Sequence, residues 1–252
     1  MITVSEKRLA NLPVLELVAS DKAHQKLPLV VFYHGWTNCK ELVLTQGYAL
    51  AKRGLRVVLP EALYHGARTE GPVEEHYLSF WDIILQSVRE FPQIVGYYRE
   101  KNLILADQVG VGGFSMGGIT ACALMAAYPK ISAAVVLAGT PAPVKFAKII
   151  LANLPQDVEL SPEYVKSLLN RLAEYDLSLH PDKVGGRPLH FWHGTADQRV
   201  PENLTQEFVE EATKQTDPLT SHVSGHFSQG VEHSVDYAVT EEMANKFYQY
   251  FH

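Results

Sequence analysis

The sequence has almost no cysteine: Cys39 and Cys122 are the only two in 252 residues. Two thiols cannot staple a disulfide scaffold and are too few for the usual cysteine-based zinc site, so a reducing compartment and a fold held by its apolar core are expected. Long apolar runs are missing as well. No stretch approaches the roughly 18 residues of a membrane-spanning helix, and Met1-Ile2-Thr3-Val4-Ser5-Glu6-Lys7-Arg8 leads into mixed residues rather than the apolar centre of a secretion signal. A cytoplasmic location is the resulting expectation. Positive charge is in short supply, with 22 Lys plus Arg against 28 Asp plus Glu and a net charge of −6. Such a chain has no cationic excess to neutralise nucleic-acid phosphates or an anionic lipid surface, so neither is an expected partner.

What is present is a globular composition, 46% hydrophobic and 20% charged, and a length suited to one α/β domain spanning 1–252. Short β-branched apolar runs recur at 29–33, 56–59, 108–114, 133–138 and 189–192. Parallel strands covered by helices on both faces lose the in/out alternation of half-exposed strands, and these runs have lost it. The stretch 13–19 alternates imperfectly and reads as an antiparallel edge strand. Amphipathic segments of helical length lie between, at 41–53, 74–98, 117–128, 203–215 and 235–251. Strand and helix in alternation give a mostly parallel central sheet with helices on both faces. From 140 to 186 the rhythm breaks: two helical patterns, 144–154 and 162–175, stand without a strand between them. This interval reads as a small helical cap insertion at 141–185, the alternative being a long crossover connection. Ser161 followed by Pro162 marks a helix start within it.

The sharpest chemical signal is Gly113-Phe114-Ser115-Met116-Gly117-Gly118, which follows an apolar strand and precedes a helical run. A sharp strand-to-helix turn strains the serine backbone and projects its hydroxyl, and side chains two residues to either side would collide, hence the glycines. Ser115 is therefore the candidate nucleophile, the alternative being a capping serine in a glycine-rich turn. A serine hydroxyl needs a base and a group to orient that base. Asp197 follows the 189–192 run on a strand-end loop, Gly194-Thr195-Ala196-Asp197, and is the expected orienting carboxylate; a plain turn-forming aspartate is the alternative. Three histidines follow: His222, His226 and His233. His233 lies on the last loop before the C-terminal helix and is the expected base, with His226 second. His222 and His226 are spaced like ligands on one helix face, but Pro218, Gly225 and Gly230 around them argue for strand and loop, so no metal and no cofactor are expected. The backbone N–H groups of Met116 and Trp36 are the expected oxyanion donors, the latter in His34-Gly35-Trp36-Thr37-Asn38 at the end of the 29–33 run. His34 is expected to be structural, and Trp36 to line the acyl pocket or its covering shell.

The combination strand-His34-Gly35-Trp36-Thr37-Asn38-x-Lys40-Glu41, Gly113 to Gly118, His193-Gly194-Thr195-Ala196-Asp197-x-x-Val200-Pro201 and Gly230-Val231-Glu232-His233 resembles the α/β-hydrolase superfamily over nearly the whole chain. Within it, the sequence is similar to small bacterial esterases related to dienelactone hydrolase and to the prolyl oligopeptidase catalytic domain. The loop Pro60 to Arg68 matches one those proteins carry after the next strand, with Glu61 and Tyr64 departing from the pattern; the resemblance implies that His65 and Arg68 shape the site wall, a salt-bridged loop being the alternative. Cys39 is not at the elbow, so the cysteine nucleophile of dienelactone hydrolases is absent and lactone opening by that route is disfavoured. The resemblance implies an α/β-hydrolase fold and a serine carboxylic ester hydrolase acting on a small-molecule substrate; the lack of a lipase-like hydrophobic excess favours short-chain or aryl esters, and a homo-oligomer is compatible with the sequence. A peptidase of the prolyl oligopeptidase type and a non-catalytic ligand-binding protein are the alternative functions; the first usually carries a gating domain for which 252 residues leave no room.

Overall fold

The five apolar runs become the five adjacent strands at the centre of an eight-stranded sheet. The structure, a computed structural model, describes residues 1–214 and 218–252. Its strands are β1 (Ile2–Leu9), β2 (Leu12–Ala19), β3 (Leu27–Tyr33), β4 (Arg56–Pro60), β5 (Ile104–Phe114), β6 (Ala133–Leu137), β7 (Leu189–Gly194) and β8 (Val223–Ser228), in spatial order β1-β2-β4-β3-β5-β6-β7-β8. From β4 to β8 every neighbouring pair is parallel. Strands β3, β4, β6 and β7 are buried at every residue, which is why no alternation survives in their sequences.

The stretch expected as an antiparallel edge strand is antiparallel but not an edge. β2 pairs with β4 on one side and with β1 on the other, so β1 forms the boundary of the sheet. β1 escapes a search for apolar runs because an edge strand with polar, exposed positions has none: most of Ile2–Leu9 is partly or fully exposed.

Among the described residues the α-helices are α1 (Leu44–Lys52), α2 (Phe80–Glu100), α3 (Met116–Ala127), α4 (Pro143–Ala152), α5 (Pro162–Ala173), α6 (Asn203–Lys214) and α7 (Tyr237–Phe251). The expected end of α6 at Gln215 lies outside the described residues. Two expected helices begin as 3₁₀ segments, Lys40–Val43 before α1 and Val73–Ser79 before α2, the latter bent at His76. Within α2, Pro92 has no N–H to give the Val88 carbonyl, and the Tyr128 hydroxyl donates to that oxygen instead at 2.9 Å. Ser161 caps α5 by accepting from Tyr164 N–H at 3.1 Å, as Ser161-Pro162 suggested. Between β6 and β7 stand α4 and α5 and no strand.

Alternate residues of β3 divide the core. Leu29, Val31 and Tyr33 pack with α2, α3 and α6 through Phe91, Ile94, Leu124 and Phe208. Val30 and Phe32 pack with α1 and α7 through Leu50 and Phe247. Each fully buried side chain of this size contributes about 1.5–3 kcal/mol. A third cluster joins Trp81, Met116, Ile119, Phe146, Leu168, Leu172 and Val200, and seats α4 and α5 against the first turns of α2 and α3 and the loop that leaves β7.

Candidate active site

Ser115 is the single residue between β5 and α3, with φ 57° and ψ −118°. A non-glycine residue rarely adopts such a backbone, and here hydrogen bonds on both sides hold it. Ser115 N–H donates to Leu137 O at 2.8 Å, and Ile119 N–H donates to Ser115 O at 3.0 Å. The glycines around it answer to contact distance. A Cβ on Gly113 would lie 2.3 Å from the Gly117 carbonyl carbon, and one on Gly117 would lie 2.1 Å from Tyr33 O. Either side chain would force strand and helix apart at the point where the serine is displayed.

Three of the expected residues meet in one hydrogen-bonded chain. Ser115 Oγ–H donates to His233 Nε2 at 2.8 Å, and His233 Nδ1–H donates to Asp197 Oδ2 at 2.6 Å. The Asp197 side chain is fully buried, which alone would raise its pKa. Donors from His193 and His233 and the Val200 N–H outweigh that burial and hold it well below the usual carboxylate range. Asp197 Oδ1 also accepts from Arg199 N–H (2.8 Å) and Val200 N–H (3.0 Å). His193 is a member the sequence reading missed. Its Nε2–H is shared between Asp197 Oδ2 at 3.0 Å and Val200 O at 3.1 Å, while its Nδ1 has no partner among the described residues. Its signal was a histidine at the buried end of an apolar strand, four residues before Asp197. An imidazole held between a hydroxyl and an ionised carboxylate can take the hydroxyl proton without turning or changing tautomer.

The other two candidate bases are held elsewhere. His226 lies on β8 with its Nδ1 donating to Glu242 Oε2 at 2.7 Å, and His222 Nδ1 donates to Gly186 O at 2.8 Å. Among the described residues, no group of three or more His, Cys, Asp or Glu is arranged to hold a metal ion.

Met116 N–H opens α3 and so has no acceptor within the helix. Trp36 N–H donates to no acceptor among the described residues. Its loop lies against the elbow: a Cβ on Gly35 would stand 3.1 Å from the Phe114 ring and 3.4 Å from Ser115 Cβ. Histidines brace this loop from behind. His34 Nδ1–H donates to Gly35 O (2.9 Å), and His34 Nε2 stands 3.1 Å from Ala62 N and 3.3 Å from Glu61 Oε1. Thr37 N–H donates to His65 Nε2 (3.3 Å) and His65 Nδ1–H donates to Leu63 O (2.8 Å). Burial lowers the His65 pKa to about 4, so the ring stays neutral and remains an acceptor near neutral pH. Beneath both rings, Glu61 takes the Lys40 N–H, the Lys40 ammonium and the Ala67 N–H at 3.0, 3.0 and 3.1 Å. Burial pushes its pKa up, but His34, the Ala67 N–H and Lys40 bring it down to about 2.

A cavity of about 270 Å³ opens over Ser115 and His233, lined also by Trp36, Thr37, Asn38, Phe80, Phe114, Phe146, Ile150, Arg199 and Val200. His65 and Arg68, expected at its wall, are not among the lining residues. His65 stands behind Trp36, ring edge to ring face at 5.2 Å. Arg68 turns its two Nη groups onto the Glu90 carboxylate of α2 at 2.9 and 2.8 Å, the salt-bridged alternative. Phe80, Phe146 and Ile150 were not foreseen as lining, because apolar residues on amphipathic helices carry no mark of which cavity they will face.

No helix among the described residues is long and apolar enough to cross a membrane. The model of the alpha/beta hydrolase fold family matches residues 28–166. YitV of Bacillus subtilis (strain 168), provisionally named an esterase, is 38% identical over 89% of this chain and 87% of its own length. Esterase YjfP of Escherichia coli (strain K12) is 33% identical over 80% of this chain and 81% of its own. Among solved structures, TT1662 from Thermus thermophilus superposes with a TM-score of 0.77 at 20% identity, covering 100% of this chain and 98% of that one. With the strand order and elbow described above, these matches establish that the chain belongs to the alpha/beta hydrolase fold family.

Proposed function

We propose that the protein is a carboxylic ester hydrolase that works through an acyl-enzyme on Ser115. The observation that carries this reading is the unbroken chain from Ser115 Oγ through His233 to Asp197, at 2.8 and 2.6 Å; the esterase names of the two relatives agree with it. In the proposed reaction His233 Nε2 takes the Ser115 proton as Oγ attacks the ester carbonyl. The carbonyl oxygen, now negative, takes the Trp36 and Met116 N–H groups, and the positive end of α3 adds to their effect. His233 then gives its proton to the departing alcohol, leaving the acyl group on Ser115. A water enters, loses a proton to His233 and attacks the acyl carbon; the acid leaves as Ser115 recovers its proton. Asp197 keeps the imidazole in the tautomer that accepts at Nε2 throughout.

The cavity volume of about 270 Å³ lies at the small end of ligand pockets, which supports short or aryl acyl groups. We read 141–185 as a small cap on a single domain spanning 1–252, because Phe146 and Ile150 of α4 line that cavity. Saturable turnover of p-nitrophenyl esters that disappears in Ser115→Ala is the expected result. A folded wild-type protein that binds such esters without hydrolysing any of them would favour a ligand-binding role instead.

A further inference from the structure

Arg199 is the one Lys, Arg, Asp or Glu among the residues that line the cavity over Ser115. Its backbone is fixed, since its N–H and that of buried Val200 both bind Asp197 Oδ1, at 2.8 and 3.0 Å. Its guanidinium is not the counter-ion of that carboxylate. Asp197 is already filled by these two N–H groups and by the His193 and His233 imidazoles, and its side chain is fully shielded. Nor has the Arg199 guanidinium any other hydrogen-bond or ion-pair acceptor among the described residues, in contrast to Arg68 on Glu90, Arg53 on Glu241 and Arg187 on the carbonyls of Tyr128 and Met125. In a chain of net charge −6, an exposed arginine without an acceptor thus lines a cavity whose wall is Trp36, Phe80, Phe114, Phe146, Ile150 and Val200 with the uncharged polar Thr37 and Asn38, two residues from the carboxylate that orients His233.

We propose that Arg199 makes this a site for esters that themselves carry a carboxylate, with the guanidinium taking the anionic group and the aromatic wall taking the apolar part. The planar guanidinium fork matches a carboxylate with two parallel charge-assisted hydrogen bonds, and a partly apolar surround strengthens them. The enclosed part of the substrate is small: about 270 Å³ is on the order of nine water volumes. A half-ester of a short dicarboxylic acid and a short acyl ester of a hydroxybenzoate both satisfy this chemistry; they differ in whether the charge rides on the acyl or the departing group.

The proposal rests on the ester-hydrolase reading, and its test separates the two. Matched pairs are compared by kcat/KM after subtraction of spontaneous hydrolysis: p-nitrophenyl hydrogen glutarate against p-nitrophenyl valerate, and 4-butanoyloxybenzoate against its methyl ester. Wild type should prefer the charged member of at least one pair about tenfold, with the preference shrinking as salt is raised. In Arg199→Gln that charged-to-neutral ratio should fall at least fivefold, and Arg199→Lys should restore part of it. The pair that responds identifies the end that carries the charge. Ser115-dependent turnover with the same ratio in wild type and Arg199→Gln would overturn the role of Arg199 and leave the esterase reading standing. No turnover of any of the four esters would defeat both.

Discussion

His193 Nε2 stands 3.0 Å from Asp197 Oδ2, the same oxygen that takes the His233 Nδ1 proton at 2.6 Å. Two imidazoles thus share one buried carboxylate oxygen, one of them facing Ser115 and the other sealed in β7. A buried charge is tolerated only where donors compensate it, and His193 supplies one of the four.

Replacing His193 by Phe should therefore act through Asp197. The carboxylate loses a donor, and Val200 O loses a partner, at a cost of about 1–3 kcal/mol. Asp197, whose folded pKa is now held low, would take up its proton at a higher pH. Its contribution is complete above the unfolded carboxylate range and is lost as pH falls, so both activity and stability should give way earlier on acidification than in wild type. His193→Gln keeps an N–H donor and should move the profile less. A folded His193→Phe protein with an unchanged pH–rate profile would remove His193 from the account.

The two candidate bases separate cleanly by substitution. His233→Ala should lower kcat/KM at least ~10³-fold, since among the described residues the Ser115 hydroxyl has no other acceptor. His226→Ala breaks the contacts with Glu242 at 2.7 Å and with Ser228 Oγ at 3.4 Å, neither of which reaches Ser115, and should stay within about tenfold, roughly 1.4 kcal/mol of barrier. Steady-state kinetics on both folded variants, side by side, checks this; an inactive His226→Ala beside an active His233→Ala would reverse the assignment.

The fold was legible where burial leaves a periodic or continuous mark. Val135-Val136-Leu137 could only be a doubly covered strand, and Gly113-x-Ser115-x-Gly117 encodes a clash that glycine alone avoids. β1 was illegible because its partner covers one edge and water meets much of the rest, so Ile2–Leu9 resembles any mixed segment. Within the site, Ser115, Asp197 and His233 could be picked out because each sits at an element boundary that chain order constrains. His193, Glu61 and Lys40 could not, because what they do depends on which loops the fold lays against each other. Arg68 was drawn to the site by its motif, whereas Glu90 on α2, distant in sequence, holds it away.

Glu61 should dominate the acid stability of the loop behind Trp36. Its folded pKa of about 2 lies below its ordinary 4.5, so its contribution of up to about 3 kcal/mol is complete above pH 4.5 and is lost as pH falls toward 2. Glu61→Gln should lower Tm near neutral pH and flatten the fall of Tm between pH 4.5 and 2. Thermal melts across that range are the check, and parallel curves for the two proteins would show that Glu61 carries no such linkage.

Ile150 and Phe146 should set the acyl length. Ile150 is only half-buried, so Ile150→Ala costs little stability, while Phe146→Leu keeps an apolar side chain there and gives up the edge-to-face contact with the Trp81 ring, 5.9 Å away. Both should shift the kcat/KM profile of p-nitrophenyl esters toward longer chains by at least one ester in a C2–C8 series. An unchanged profile in both folded variants would make 141–185 a connection rather than a cap.

Ser115 is the proposed nucleophile, and covalent capture would mark it at the reacting atom. After treatment with a fluorophosphonate, peptide mapping by mass spectrometry should place the adduct on Ser115 alone, with labelling and ester turnover lost together in Ser115→Ala while Tm stays close to that of wild type. An adduct on another residue, or undiminished labelling and turnover in the folded Ser115→Ala protein, would place the nucleophile elsewhere.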